Sequence, residues 1–135
     1  MNSDVIQIDG SRGEGGGQVL RTSLSVAAMS GRAMRISRIR AGRSNPGLAP
    51  QHLTAVRALA RICGAELQGA QLRSTEIQFK PTGPPQGGEY SFDVADAAPN
   101  GSAGSVTLLA QALIPPLLFA DSDSVLELRG GTHVR

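Results

Sequence analysis

The chain has 135 residues, 40% of them apolar and 18% charged, with a formal net charge of +2, which suits a single globular domain with a modest core. With 3% aromatic residues the core must rest on Leu, Val, Ile and Ala, and a surface for stacking nucleic-acid bases is poorly supplied. The single cysteine, Cys63, excludes an internal disulfide, and the longest apolar stretch, Val106 to Ala120, is too short to span a bilayer and contains Gln111 and Pro115-Pro116.

Val5, Ile6 and Ile8 form a short strand ended by Asp9-Gly10. The start MNSDVIQIDG lacks the basic end and apolar run of a signal peptide, and with the lone cysteine it fits a cytosolic protein. A glycine cluster, GEGGGQVLR, comes next. After it Val19, Leu20, Ser23, Leu24, Val26 and Ala27 recur at helical spacing until Gly31 stops the helix. Met34 to Arg40 reads as a second strand whose parity breaks at Ile39, which calls for a bulge or a strand end there. AGRSNPGLAPQ is a loop, and Pro50 suits the first turn of the following helix, where its missing N–H would have no partner. Leu53, Val56, Leu59 or Ala60, and Cys63 give that helix its apolar stripe, with Gly64 ending it. Cys63 reads as a buried small apolar group. Short strands follow near Glu66-Leu67-Gln68 and Glu76-Ile77-Gln78-Phe79.

Residues 1–80 therefore read as a βαβαββ unit carrying nucleotide-binding motifs, and the Gly/Pro-rich stretch 81–88 as a linker. Residues 89–135 begin the pattern again. Tyr90 to Val94 alternates as a strand, and NGSAGS is a second small-residue loop. Val106, Leu109, Ala110 and Leu113 carry a helical stripe, kinked or ended near Pro115-Pro116, and Val125 to Arg129 is a strand. The fold class is α/β (α+β): a repeated βαβαββ unit with helices on one face of a sheet, the second unit truncated. Truncation would leave helix and strand surfaces uncovered, which favours a homo-oligomer or association with a missing C-terminal part.

The glycine cluster is the main candidate site. It has no lysine for a P-loop, and Gln18 stands where the third glycine of a dinucleotide fingerprint belongs. Glycines before a helix permit φ > 0 and bring N–H groups close to an anion. Glu14 inside the cluster has two readings, an acid capping its own helix or a carboxylate ligand for Mg2+ that bridges to nucleotide phosphates. Twelve of the thirteen basic residues are Arg, whose planar fork grips phosphate. Arg21 lies one to two turns into the first helix, Arg40 and Arg43 bracket RAGR at a strand end, and Arg38 shares the parity of Arg40. Each alone suits a solvated surface; together at strand-to-loop ends they suit a phosphate.

The segments DGSRGEGGGQVLRTSLS, IRAGRSNPGLAPQHLTAVRALARICGAEL, GSAGSVTLLAQALIPPLLFAD and GGTH closely resemble the RNA 3′-terminal phosphate cyclase family, in order and with similar spacing. The resemblance corresponds to the N-terminal part of a member. It implies an enzyme in which a histidine attacks ATP and becomes adenylylated, releasing pyrophosphate. The AMP then moves to the 3′-phosphate end of RNA, and the vicinal 2′-hydroxyl attacks that phosphorus, giving a 2′,3′-cyclic phosphate and free AMP. By the same resemblance Glu14 is the Mg2+ ligand, Arg21, Arg40 and Arg43 bind phosphates, and Gln51 and Gln111 belong to the ATP pocket. The family's nucleophilic histidine falls beyond this chain. His52 and His133 do not match its motif, so no catalytic residue is expected here, and the chain alone is not expected to form a covalent adenylate. His52 reads as a helix-capping or packing residue. Ala49-Pro50 before Gln51 and ADAAPN before GSAGS depart from the family pattern, as does the ending Val134-Arg135. The alternatives are a non-catalytic cyclase-like protein of ribosome biogenesis, acting through RNA and protein contacts, and an inactive fragment.

Overall fold

The computed structural model describes residues 4–13, 16–97 and 106–130. Its first half forms β1 (Ile6–Asp9), α1 (Gly17–Ser30), β2 (Met34–Ser37), α2 (Pro50–Cys63), β3 (Glu66–Gln68) and β4 (Ile77–Lys80). These strands make one sheet in the order β1-β2-β4-β3. β1 and β2 are parallel, with Ile6 opposite Met34 and Ile8 opposite Ile36. β4 runs antiparallel to both β2 and β3. The period-2 pattern decides which face is covered. Met34, Ile36, Ile77 and Phe79 are buried, while Arg35 and Glu76 form an ion pair of 2.7 Å on the open face.

The remaining elements are β5 (Glu89–Asp93), a 3-10 turn (Val94–Ala97), α3 (Val106–Leu118) and β6 (Val125–Arg129). β5 and β6 pair in parallel as a two-stranded sheet, with Tyr90 opposite Leu126 and Phe92 opposite Leu128. This repeats the β1-α1-β2 arrangement without a counterpart of α2, β3 and β4 among the described residues. Residues 81–88 form no helix or strand.

α2 is the centre of the core. Its Leu53, Ala55, Val56, Ala58, Leu59, Ile62 and Cys63 are buried in one cluster with Leu20 and Leu24 of α1, Leu109 and Leu113 of α3, and Phe79 of β4. Arg57 and Arg61 remain exposed. Arg61 lies over the rings of Tyr90 and Phe92, 5.8 and 5.9 Å from their centroids, and so ties α2 to the second sheet. Polar groups within the buried helix find carbonyls one turn back: Thr54 donates to Pro50 O at 2.9 Å and Cys63 to Leu59 O at 3.2 Å.

The expected punctuation appears where a backbone rule compels it. Gly31 and Gly64 end α1 and α2 in the left-handed conformation, and Pro50 opens α2. α3 holds both prolines in its closing turn and stops at Leu118. Packing changes other details. The second strand ends at Ser37 rather than Arg40, because Arg38 and Arg40 both take positive φ, 54° and 50°. Ile39 between them is 1% exposed, so the chain turns there to keep that side chain in the core. On α1 the buried stripe is Leu20, Leu24, Ser25, Ala27 and Ala28, whereas Val26 faces outward. Ile114, Leu118, Phe119 and Val125 are exposed apolar groups around the end of α3 and the start of β6. Among the described residues no helix is long and apolar enough to cross a membrane.

Candidate anion-binding site

The loop after β2 is a pinned excursion. Ile39 N–H donates to Thr75 O (2.9 Å), Gly47 N–H to Ile39 O (2.9 Å) and Leu48 N–H to Ser74 O (3.0 Å). Arg40 closes the loop from within, its Nη1 donating to Asn45 O (2.8 Å) and Gly47 O (2.7 Å). Inside the loop Arg43 N–H donates to Arg40 O at 3.0 Å, a turn that carries Arg43 toward α1.

The start of α1 receives that side chain. A Cβ on Gly16 would stand 2.6 Å from Arg43 Nη2. A Cβ on Gly17 would meet the His52 ring, with Cδ2 at 2.7 Å, and Arg21 Nη1, also at 2.7 Å. Arg21 reaches this point because long side chains in helices lean back over the preceding turn. The space left by two successive glycines is thus taken by two guanidinium groups and an imidazole. Gly16 has φ −97°, which any residue adopts, so what this position requires is room rather than positive φ.

His52 belongs to the first turn of α2, and its contact with Gly17 brings the starts of α1 and α2 together. Both are positive helix ends. Neither Gly16 nor Ala49, their N-cap residues, has a side-chain cap, and neither first turn holds an acid. Arg21 and Arg40 add charge beside the imidazole. Burial, then the fields of Arg40 and Arg21, push the His52 pKa down to about 4, so the ring is neutral. Burial also lowers the Arg21 pKa, and burial followed by Arg43 lowers that of Arg40. The described acceptors of Arg21 and Arg40 are neutral oxygens, of Gln18 and of the loop. The assembly presents positive potential and N–H donors, the chemistry of a phosphate site.

The sequence-predicted residues fall as follows. Arg43 and Arg21 both reach the start of α1, over Gly16 and Gly17 respectively, and Arg40 lies within electrostatic reach of Arg43 and His52. Gln51 is half-buried in the first turn of α2, next to His52. Gln111, on α3, shares with Gln18, Arg21 and Thr22 a cleft of about 220 Å3 between α1 and α3, completed by Ser25, Val26, Met29, Ala112 and Pro115. Arg38 turns away toward Asp9, at 3.8 Å. Glu14 and His133 lie outside the described residues. Among the described residues no group of three or more His, Cys, Asp or Glu is placed to hold a metal ion. Among the described residues, sequence reasoning left His52 out of the site. Its capping role is as expected, Ala49 N–H donating to Nδ1 at 3.1 Å, but nothing local in the sequence signals its contact with a residue of α1.

The family model described as RNA 3′-terminal phosphate cyclase matches residues 12–135. Proteins of that name from Gloeothece citriformis and Trichormus variabilis are 57% and 61% identical over 130 residues, which is 96% of this chain and 37% of each relative. The protein of that name from Methylococcus capsulatus is 52% identical over 130 residues, 96% of this chain and 36% of its own length. The chain thus spans little more than a third of the length of the curated relatives it matches.

Proposed function

The chain belongs to the RNA 3′-terminal phosphate cyclase family, and on that premise we propose that it supplies the ATP- and Mg2+-binding part of an enzyme that converts an RNA 3′-terminal phosphate into a 2′,3′-cyclic phosphate. The observation that carries this reading is the gathering of Arg21, Arg43 and His52 over two side-chain-free positions at the start of α1. Phosphate oxygens would accept from the first N–H groups of α1 and from the Arg21 and Arg43 guanidinium groups. Arg40, whose Nη1 already holds the loop carbonyls, would act on the bound charge through its field and keep Arg43 in place. Gln51 would add an amide at the start of α2. The α1–α3 cleft bordered by Arg21 and Gln111 is apolar along Val26, Met29 and Pro115, which suits the rest of the nucleotide.

The donor set fits polyphosphate better than it fits a free metal ion. Mg2+ would arrive with the phosphate oxygens and take Glu14 as its carboxylate, neutralising phosphate charge. The nucleophilic histidine would come from the family's remaining length, and 3′-phosphate RNA ends are the proposed polymer partner. The exposed Ile114, Leu118, Phe119 and Val125 are where that remaining length, or a second copy, would find apolar contact.

Titration calorimetry with ATP and Mg2+ tests this. Wild type should bind, and Arg43→Ala should bind about tenfold or more weakly, the worth of a charge-assisted hydrogen bond. Glu14→Ala should weaken binding only when Mg2+ is present. Equal affinities for wild type and Arg43→Ala would remove the basis for the nucleotide site.

A further inference from the structure

His52 is 3% exposed and has two neighbours that a capping role does not require together. Its Nδ1 accepts the Ala49 N–H at 3.1 Å. A ring nitrogen that accepts bears no hydrogen, so the hydrogen of the neutral imidazole sits on Nε2. That nitrogen faces α1, over Gly17. Arg21 Nη1 stands 2.7 Å from the point where a Gly17 side chain would begin, the same point the ring approaches. Imidazole N–H and guanidinium are both donors and cannot bond to each other. They pack side by side, and the ring closes one side of the space in which the guanidinium can move.

We infer that His52 is a positioning residue: an Nε2–H imidazole, fastened to the start of α2, that confines the Arg21 guanidinium over the first turn of α1. This rests on reading that turn as the anion site. Three parts make the device. Gly17 supplies the room, the Ala49 amide sets the ring's orientation, and the ring sets the reach of Arg21. A positively charged ring would repel Arg21 and Arg40, whereas a neutral one can share their pocket. The two helix starts are thereby held at one spacing before any ligand arrives, so the donors need not be ordered on binding.

Nuclear magnetic resonance on the ligand-free chain tests it first. Long-range proton–nitrogen spectra should show His52 as the Nε2–H tautomer, with its ring protons close to Gly17 and Arg21. The Arg21 Nε–H should exchange slowly with water. In His52→Asn the new Oδ1 can still accept the Ala49 N–H, but nothing fills the space over Gly17. There the Arg21 Nε–H should exchange about tenfold faster and ATP affinity with Mg2+ should fall about tenfold, while the amide of Ala49 stays protected. His52→Gln, which reaches the Nε2 position, should recover part of the Arg21 protection. An Nδ1–H tautomer, or unchanged Arg21 exchange in His52→Asn, overturns the inference. If His52→Asn does not fold, the wild-type tautomer and ring contacts decide, and their absence overturns it. If no form of the chain binds ATP, the proposed function falls, and the tautomer and Arg21 exchange still decide the role of His52.

Discussion

Acid should destabilise this protein through His52. The unfolded chain binds a proton at an imidazole of ordinary pKa, near 6.5, whereas the folded chain resists it until about pH 4. Protons therefore favour the unfolded state between those values. The stability in question is fully present above pH 6.5 and is lost as pH falls toward 4. One pKa unit corresponds to about 1.4 kcal/mol, so the whole window is worth about 3 kcal/mol, most of it gone by pH 4.5. The ring is almost wholly buried and faces Arg21 and Arg40, so solvent gives it little relief when charged. Urea unfolding at pH 7.5 and pH 4.5 measures the loss, with His52→Asn as the reference. Carboxylates titrate alike in both proteins and cancel in the difference. Wild type should lose about 2–3 kcal/mol more than the variant between the two pH values. Equal losses would show that His52 takes its proton in the folded state as readily as in the unfolded one, and the description of its surroundings would be wrong.

Other consequences are simpler to measure. Burial pushes the Cys63 thiol up to about 11, and its Sγ donates to Leu59 O, so an alkylating reagent at pH 8 should leave the native chain unmodified and label it rapidly in urea. Phe79→Ala should cost about 3–5 kcal/mol by denaturant unfolding, since the ring is wholly buried where β4 pairs with both β2 and β3. Glu76→Gln breaks an ion pair whose side chains are half exposed, and it should change stability by less than about 1 kcal/mol, with the difference shrinking in high salt. Gly16→Ala should weaken ATP binding in calorimetry more than it lowers the melting temperature, because its methyl displaces Arg43 Nη2, the far end of a flexible side chain, rather than backbone.

What could be read from sequence was what short-range rules control. Gly31, Gly64 and Pro50 act within one turn of their own positions, and they mark the helix boundaries as expected. The parity break at Ile39 was visible, and it marks a real departure from the strand. Its form was not, since two arginines in left-handed conformation are costly by local preference and persist only because Ile39 and Ile36 are both drawn into the core. Burial on α1 was half legible, because periodicity gives the width of a stripe and neighbouring helices decide its centre. Packing against α2 and α3 selects Ser25 and Ala28 and leaves Val26 outside. The strand order, with β4 between β2 and β3, has no counterpart in any local signal.

The candidate site shows the same division. Arginines at a strand end and glycines before a helix are a local pattern, and they drew attention to Arg21, Arg40 and Arg43. The glycines, however, suggested a flexible backbone wrapped around a ligand, and at Gly16 and Gly17 the structure has a helix start whose missing side chains make room for other residues. Gly13 of the same cluster does take the expected positive φ, 63°, so the cluster combines a left-handed turn with open space. A positive helix end repels guanidinium groups, and a second positive helix end beside it repels them more. Among the described residues, Arg35, Arg38 and Arg129 meet carboxylates elsewhere on the surface, while the acceptors of Arg21 and Arg40 at the crowded place are neutral oxygens. Such crowding opposes folding, so it persists only where other contacts outweigh it: the pinned loop, the buried start of α2 and the ring of His52 between them. A fold that holds mutually repelling donors in fixed positions has their mutual alignment complete beforehand, and on the proposed function an incoming polyphosphate would relieve the repulsion as it binds.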